Sequence, residues 1–395
     1  MKVSGRFTSK RNEVFPAQTG DGLCVIKRFA RTRDAENEKA VYSLLAGSGL
    51  CTPELLSANG RELRLSYVQG QTFTELLERQ EQAGCASLAE WDALAVWLAR
   101  FFDRTGLVMS DCNLRNFILC ENGEVCGLDF ESCREGDFLT MAGSVCAFTA
   151  LYRPEKTRLK TEISEFLKSR FAEYGRLSPG ALAEEVQRQE KLVIERRQRR
   201  ELCATYSAVI LAGGKSTRMG KNKAELELDG MSFAEYQVNK LRAFGFRDVM
   251  LSGYEKPVSG ARTVGDVYPE KGPLGGIYAG LCAAENEGCF VVSVDAPLCP
   301  EDTIAALLSA HGAGAAPITV LEHNKQLEPL IGVYSRSLCP LAEQMLRSGS
   351  SAVMRLLDAA GYSAYDYTGD ERAVGNCNTP EEYQRLIAYF AEGTI

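Results

Sequence analysis

The stretch YSAVILAGGKSTRMGKNK, residues 206–223, decides how the second half of the chain folds. Its first six residues are mostly apolar and predict a buried strand, which runs directly into the glycine pair Gly213 and Gly214. Because glycine has no side chain, the backbone of such a turn can approach a phosphate group closely. Four cations follow the glycines and can offset negative charge at phosphorus: Lys215, Arg218, Lys221 and Lys223.

The rest of this half alternates strand-like runs with helical stretches. DVMLSG and CFVVSVD are rich in apolar and β-branched residues, whereas FAEYQVNKLRAFG and PEDTIAALLSAHG have helical periodicity. This alternation predicts an α/β domain with a mostly parallel sheet, which we place at residues 205–395. Asp295 closes CFVVSVD and is expected at the carboxyl end of a strand, where open α/β sheets bind ligands. Its carboxylate suits Mg²⁺, and we prefer this role to an N-cap for the helix near Pro300.

Several motifs of this half occur together in a known family. They are LAGGKSTRMGKNK, Asp266 within TVGDVYP, GPLGGI, Asp295 within VSVDAPL, EPLIGVY and NCNTPEEY. The GxxxxGK[ST] order of a P-loop is absent. Instead, the set resembles the glycosyltransferase-A-like (GT-A-like) nucleotidyltransferases, and most closely the molybdenum cofactor guanylyltransferases.

This resemblance implies that a terminal phosphate oxygen of molybdopterin attacks the α-phosphorus of Mg-GTP and that pyrophosphate leaves. It also implies contact with molybdoenzyme maturation proteins. Asp295 would bind Mg²⁺, while Arg218 and Lys223 would stabilise the transition state. Asp266 would help to hold the guanine nucleotide. The implied nucleotide contacts also include the turn, the lysine and a neighbouring strand end: Leu211, Ala212, Gly213, Gly214, Lys223 and Ser252.

Three positions leave alternatives open. Ser252 stands where the guanylyltransferases usually carry asparagine, so a cytidine nucleotide remains an alternative to GTP. The turn GPLGG precedes a predicted helix and either faces an anion or only shapes a tight loop. In NCNTPEEY, Thr379, Pro380 and Glu382 predict a capping box, while Asn376 and Asn378 are weaker site candidates.

The first half carries a second set of polar residues in a working order. Lys27 lies in the strand-like CVIKRF and Glu38 in the helix-like DAENEKAVYSLL. Asp111 and Asn116 follow in MSDCNLRNFIL, and Asp129 ends the apolar run VCGLD. Phosphoryl transfer needs such a set: a lysine on the phosphates, a glutamate that anchors it, an aspartate near the acceptor hydroxyl and two oxygen ligands for Mg²⁺.

This half resembles the protein-kinase-like phosphotransferases, particularly their small-molecule and lipopolysaccharide kinase branches. The resemblance implies an α+β domain at residues 1–178 that binds Mg-ATP, with Asp111 catalytic and Asn116 and Asp129 on the metal. Three features depart from the family. Met109 replaces the expected histidine, Glu131 replaces the DFG glycine, and NEVFPAQTGDG is a poor glycine-rich loop.

Composition and charge limit the remaining possibilities. Residues 179–204 are rich in Glu, Gln, Arg and Lys and predict a charged helical linker. A net charge of −7 and a pI near 5.3 argue against a nucleic-acid partner. With no CxxC pair and only His311 and His323 as histidines, a metal would bind oxygen atoms. The scattered cysteines and the lack of a long apolar run favour a cytoplasmic protein without a membrane segment.

Two alternative functions remain open at this stage. A kinase makes phosphomonoesters, so the nucleotidyl acceptor could be a sugar or alcohol that the first half phosphorylates. Alternatively, the first half is a non-catalytic binding module that recruits a partner.

Overall fold

A computed structural model describes residues 12–20, 22–213 and 222–392. The chain forms two compact units, Met1–Arg196 and Arg197–Ile395. The charged segment between them forms a single helix, Pro179–Cys203, which contains the boundary. Among the residues described, none of the helices combines the length and the apolar character needed to cross a membrane.

The N-terminal unit contains short strands and longer helices. The strands are β1 (Glu13–Thr19), β2 (Gly22–Arg28), β3 (Leu55–Asn59), β4 (Glu62–Ser66), β5 (Gln71–Thr72), β6 (Leu107–Met109), β7 (Phe117–Leu119), β8 (Val125–Gly127) and β9 (Cys133–Glu135). The helices are α1 (Thr32–Leu45), α2 (Phe73–Ala83), α3 (Leu88–Thr105), α4 (Phe138–Ala150), α5 (Arg158–Tyr174) and α6 (Pro179–Cys203).

A four-stranded antiparallel sheet in the order β1-β2-β4-β3 opens this unit. The segment that departs from a glycine-rich loop forms β1 and the start of β2, in which Thr19 pairs with Gly22. Four apolar residues of α3, Trp91, Leu94, Leu98 and Phe101, are fully buried. Phe102 packs against the same core while remaining partly exposed.

The C-terminal unit continues the numbering. Its strands are β10 (Tyr206–Leu211), β11 (Glu227–Leu228), β12 (Met231–Ser232), β13 (Asp248–Ser252), β14 (Arg262–Val264), β15 (Gly288–Ser293), β16 (Ile318–His323), β17 (Gln326–Ser335) and β18 (Ser363–Asp366). Its helices are α7 (Phe233–Phe244), α8 (Gly272–Ala283), α9 (Glu301–Ala313), α10 (Cys339–Arg347), α11 (Val353–Ala360), α12 (Glu371–Val374) and α13 (Pro380–Ala391).

The large sheet of this unit is mixed but mostly parallel, as predicted: six of its seven strands run in one direction, and β17 runs in the other. Its order is β14-β13-β10-β15-β17-β16-β18, and β17 runs antiparallel to both of its neighbours. The cause is a hairpin between β16 and β17, where Asn324 and Lys325 both adopt positive φ. Two consecutive left-handed residues make the tight turn that joins antiparallel strands. The parallel part, β14 to β15, contains the strands identified in the sequence.

Candidate active site

The candidate site of the C-terminal unit lies at the carboxyl ends of three parallel strands. Leu211, the last residue of β10, is level with Ser252 of β13 and Ser293 of β15. The chain continues from Ser293 to Asp295, which is buried and has 8% of its surface exposed. Ligands bind at such an edge because the loops after parallel strands meet there.

Two glycines bring the loops after β10 and β13 into direct backbone contact. A Cβ atom on Gly253 would lie 2.6 Å from Cα of Gly213, and Gly253 has a φ of +74°. Ala212 N–H donates to the carbonyl of Ser252 over 2.9 Å beside this contact. A side chain at Gly253 would therefore push the loops apart. The sequence identified Gly213 as a site residue but not Gly253, although Gly253 ends the strand-like run DVMLSG.

Lys223 and Asp295 form the polar centre of this edge. The ammonium of Lys223 lies 2.5 Å from Oδ2 of Asp295 and donates to Oδ1 of Asn378 over 2.6 Å. The hydroxyl of Ser293 donates to Oδ1 of Asp295. A cation that can face phosphate thus lies beside a carboxylate. The side chains around it offer carboxylate, amide and hydroxyl oxygens, the ligand types that suit Mg²⁺.

Helix α7 holds the backbone on both sides of Asp295. The Gln237 amide donates to the carbonyl of Ser293 over 2.7 Å. The Lys240 ammonium donates to the carbonyl of Pro297 over 2.9 Å and also to the carbonyl of Cys299. Lys240 is partly buried, and burial lowers its pKa. Neither residue was identified from the sequence, because a lysine and a glutamine on an amphipathic helix usually face solvent.

If Asp295 binds Mg²⁺, as the resemblance implies, replacing Lys240 with methionine is expected to weaken that binding. The Pro297–Cys299 backbone would lose its charged donor, and Asp295 would lose its fixed position. Changes to groups that orient metal ligands commonly reduce metal affinity about 10- to 100-fold. We therefore expect the Mg²⁺ concentration for half-maximal pyrophosphate release to rise about tenfold.

The control for this prediction is Lys256→Met, which removes an exposed lysine paired with Glu225. It should leave the Mg²⁺ dependence unchanged. A folded Lys240→Met variant with wild-type Mg²⁺ dependence would contradict the positioning role.

The NCNTPEEY segment contributes both to structure and to the site. Thr379 and Glu382 form the predicted capping box of α13. Asn378, a weaker candidate, contacts Lys223 directly. Asn376 donates to the carboxylate of Glu328 over 3.4 Å. Burial, reinforced by the charge of Asp295, raises the pKa of Glu328, although the Asn376 hydrogen bond opposes this. Glu328 begins the motif EPLIGVY, but the sequence did not identify it as a site residue.

The other candidates of this half have different surroundings. Ser252 is buried, and its hydroxyl has no hydrogen-bond partner within the described part of the chain. Asp266 is exposed in the loop after β14. Gly276 of α8 packs close to Leu211 and Ser252, so the GPLGG segment lies against these strand ends. Gly214 and Arg218 lie outside the described residues.

The candidate residues of the N-terminal unit surround Lys27. Its ammonium lies 2.6 Å from Glu38 of α1, 2.5 Å from Asp129 and 3.0 Å from Glu131. Phe130 anchors its neighbours Asp129 and Glu131, because its buried ring packs nearly parallel to the core rings of Trp97 and Phe101. Asp129 has a φ of 63°, an uncommon conformation that often accompanies functional sites. Glu131, noted in the sequence only as a departure from glycine, is thus a third carboxylate beside the lysine.

Burial and charge act in opposite directions on this cluster. Burial alone would lower the pKa of Lys27, but the three carboxylates outweigh it and raise that pKa well above its usual range. Burial raises the pKa of Glu38 to about 7, and Lys27 opposes this shift. One oxygen of Glu38 and the hydroxyl of Tyr42 are buried and have no hydrogen-bond partner among the described residues. Lys27 is therefore a cation held by acids in a nearly dry environment.

Asp111 and Asn116 lie in the loop after β6. Asn116 donates to the backbone carbonyl of Asp111 over 3.0 Å, and its own carbonyl accepts from Leu128 N–H over 2.8 Å. The side chain of Asp111 is 45% exposed and lies 3.4 Å from Arg115. Asn116 thus links the Asp111 loop to the segment that carries Asp129. Met109, at the expected histidine position, is buried in the core.

Comparisons with known proteins concern the second half of the chain. Residues 208–363 match the model of the MobA-like NTP transferase domain. A molybdenum cofactor guanylyltransferase of Xanthomonas euvesicatoria is 34% identical over 46% of this chain and 94% of its own length. A protein of Carboxydothermus hydrogenoformans named probable molybdenum cofactor guanylyltransferase is 30% identical over 47% of this chain and 96% of its own. A crystal structure of an Aquifex aeolicus protein is 27% identical, covers 44% of this chain and 94% of that one, and has a TM-score of 0.38.

Proposed function

The chain belongs to the MobA-like NTP transferase family and is a nucleotidyltransferase, and we propose that it transfers GMP from GTP to molybdopterin. The proposal is carried by the contact of Lys223 with Asp295 and Asn378 at the carboxyl edge of the sheet. It is supported by relatives whose names state this activity. Molybdoenzyme maturation proteins are its proposed partners.

The proposed chemistry divides between a lysine and a carboxylate. A phosphate oxygen of the acceptor attacks the α-phosphorus of GTP, and pyrophosphate leaves. Lys223 would offset the charge that builds up on the phosphates, with Arg218 proposed for the same role. Asp295 would hold Mg²⁺, which supplies Lewis-acid stabilisation of the phosphoryl oxygens when bound. The backbone of Leu211, Ala212, Gly213 and Gly214 would lie along the phosphate chain.

The nucleotide preference can be measured on the full chain. We expect GTP to displace a fluorescent GTP analogue better than CTP, ATP or UTP, because the LAGG turn and Asp266 resemble the guanylyltransferase pattern. Asp266→Asn should reduce this preference, whereas Asp358→Asn, an exposed aspartate on α11, should not. Stronger displacement by CTP would instead favour the cytidine nucleotide and a sugar or alcohol phosphate acceptor.

For the N-terminal unit we propose binding of Mg-ATP and transfer of its γ-phosphate. The supporting observation is that Lys27, Glu38 and Asp129 lie in contact, as phosphate clamp, anchor and metal ligand would require. Asn116 is the second proposed metal ligand, and Asp111 would orient the acceptor hydroxyl. The Asp111 side chain is exposed enough to meet one.

ATP binding tests this second activity. In full-length Asp295→Asn protein saturated with GTP, calorimetry should detect Mg²⁺-dependent ATP binding. Asp129→Asn should weaken that binding about tenfold or more through its metal ligand. Asp111→Asn should spare binding and remove turnover, and exposed Asp103→Asn should change neither. If the full-length Asp295→Asn protein, whose N-terminal unit is unchanged, gives no Mg²⁺-dependent ATP signal, the kinase proposal fails. The non-catalytic binding module then becomes the better explanation.

A further inference from the structure

Two cysteines of the C-terminal unit lie in sulfur-to-sulfur contact. Cys282 is exposed near the end of α8, and Cys339, at the start of α10, is partly buried. Their Sγ atoms are 3.3 Å apart, and the Cys282 thiol donates to the Cys339 sulfur. Bond formation requires the sulfurs to approach to about 2.05 Å. The remaining displacement is small enough for side-chain rotation to supply much of it.

The helices that carry these cysteines are held together by other contacts. Leu274, Ile277 and Leu281 of α8 share one buried core with Ala342 and Leu346 of α10. The Tyr268 hydroxyl, from the loop before α8, donates to Glu343 of α10 over 3.2 Å, and Arg347 donates to the same hydroxyl over 3.1 Å. The sulfur contact therefore belongs to two packed helices and not to a loop.

The exposure of Cys282 distinguishes it from cysteines deep in this unit. Cys289 and Cys299 are both at most 1% exposed, and burial raises the pKa of each thiol. Reaction with an oxidant requires both access and a thiolate, so buried thiols of this kind are inert. Cys282 offers the access, and Cys339 lies where it can resolve the first product.

We propose that Cys282 and Cys339 are a dithiol that hydroperoxides oxidise to a reversible disulfide joining α8 to α10. The Cys282 thiolate attacks the peroxide, so that an S–O bond forms, the O–O bond breaks and an alcohol leaves after protonation. Cys339, deprotonated, then attacks the Cys282 sulfur, so that the S–S bond forms and water leaves. Two thiols and one hydroperoxide thus yield one disulfide, one alcohol and one water, and a dithiol reductant reverses the change.

The disulfide would enclose an important part of the unit. The cysteines are 57 residues apart, and the segment between them contains β15, Asp295 and the hairpin of β16 and β17. Closing a loop of this length restricts the unfolded chain strongly. Oxidation is therefore expected to raise the melting temperature of the C-terminal unit by about 5 °C or more.

The test uses full-length protein treated with a small excess of hydrogen peroxide and then alkylated in denaturant. We expect intact mass spectrometry to find two thiols protected from alkylation, peptide mapping to join Cys282 to Cys339, and dithiothreitol to restore both thiols. Cys282→Ser and Cys339→Ala should each abolish the protection and the rise in melting temperature. Cys85→Ser, which removes an exposed cysteine of the other unit, should behave like wild type.

Three outcomes would overturn the proposal. One is oxygen addition at Cys282 while Cys339 remains open to alkylation. Another is a disulfide that persists in the Cys282→Ser protein. The third is unchanged alkylation of both cysteines after peroxide treatment. Because Cys282 is exposed, its serine variant should fold. Under reducing conditions its melting temperature should equal that of the reduced wild-type protein.

Discussion

Replacing Asp295 with asparagine is expected to slow nucleotidyl transfer at least about a thousandfold, roughly 4 kcal/mol at the transition state. Asparagine has nearly the same volume but carries no charge, so it binds Mg²⁺ weakly. It also removes the partner of Lys223, whose ammonium lies 2.5 Å from the carboxylate. The measurement is pyrophosphate release from GTP over a series of Mg²⁺ concentrations.

The matched control is Asp302→Asn on α9. Its carboxylate is 94% exposed and pairs with Arg199, so the same chemical change occurs at the surface of the same unit. We expect wild-type turnover from this variant. Circular dichroism should give both proteins the wild-type helix and strand content. Near-normal pyrophosphate release by a folded Asp295→Asn protein would remove Asp295 from the proposed metal site.

The sequence predicted the strand ends of this site better than its support. Strands β10 and β15 are short apolar runs whose last residues precede Gly213 and Asp295, and parallel pairing brings such ends together. The capping box of Thr379 and Glu382 was also predictable, because it depends on residues only three apart. These features follow from local pattern and from one rule of sheet topology.

The features that were missed depend on distant contacts. Lys240 bonds backbone carbonyls in the segment after Asp295, 57 and 59 residues away, and no local pattern indicates such a partner. Glu328 enters the site because β17 is antiparallel and bulged beside β16. The sheet is mostly parallel as predicted, but its antiparallel strand β17 was not anticipated, because the Asn324–Lys325 turn was not recognised as a hairpin.

In the N-terminal unit, the order of polar residues anticipated which side chains would meet. Glu38 is 11 residues from Lys27 in the sequence and Asp129 is 102 residues from it, yet both contact the lysine. Glu131 was interpreted only as a missing glycine. Its contact with Lys27 changes the charge of the cluster, because three acids now face one cation.

Replacing Lys27 with methionine is expected to destabilise the N-terminal unit by about 1–2 kcal/mol near pH 8 and by about 3 kcal/mol near pH 9, because it leaves Glu38 buried without its cation. Each pH unit above the wild-type Glu38 pKa of about 7 adds about 1.4 kcal/mol. Urea unfolding followed by tryptophan fluorescence reports on this unit, since both tryptophans, Trp91 and Trp97, lie in it. Lys156→Met is the control. It breaks the exposed pair with Glu190 and should cost less than about 1 kcal/mol.

The loss of stability in the Lys27→Met protein should depend on pH in a defined direction. Burial raises the pKa of Glu38 to about 7 in the wild type, and loss of the lysine would raise it further. Between the unfolded pKa, about 4.3, and the folded pKa, the folded state holds the extra proton, so stability falls as pH rises. The wild-type stability curve levels off above about pH 7, whereas the variant continues to lose stability.

The difference in stability between the two proteins should therefore be small at acidic pH and grow above neutrality. Adding Glu38→Leu should remove this pH dependence. A deficit that is equally large at about pH 5 and about pH 9 would contradict an unpaired Glu38 as its cause.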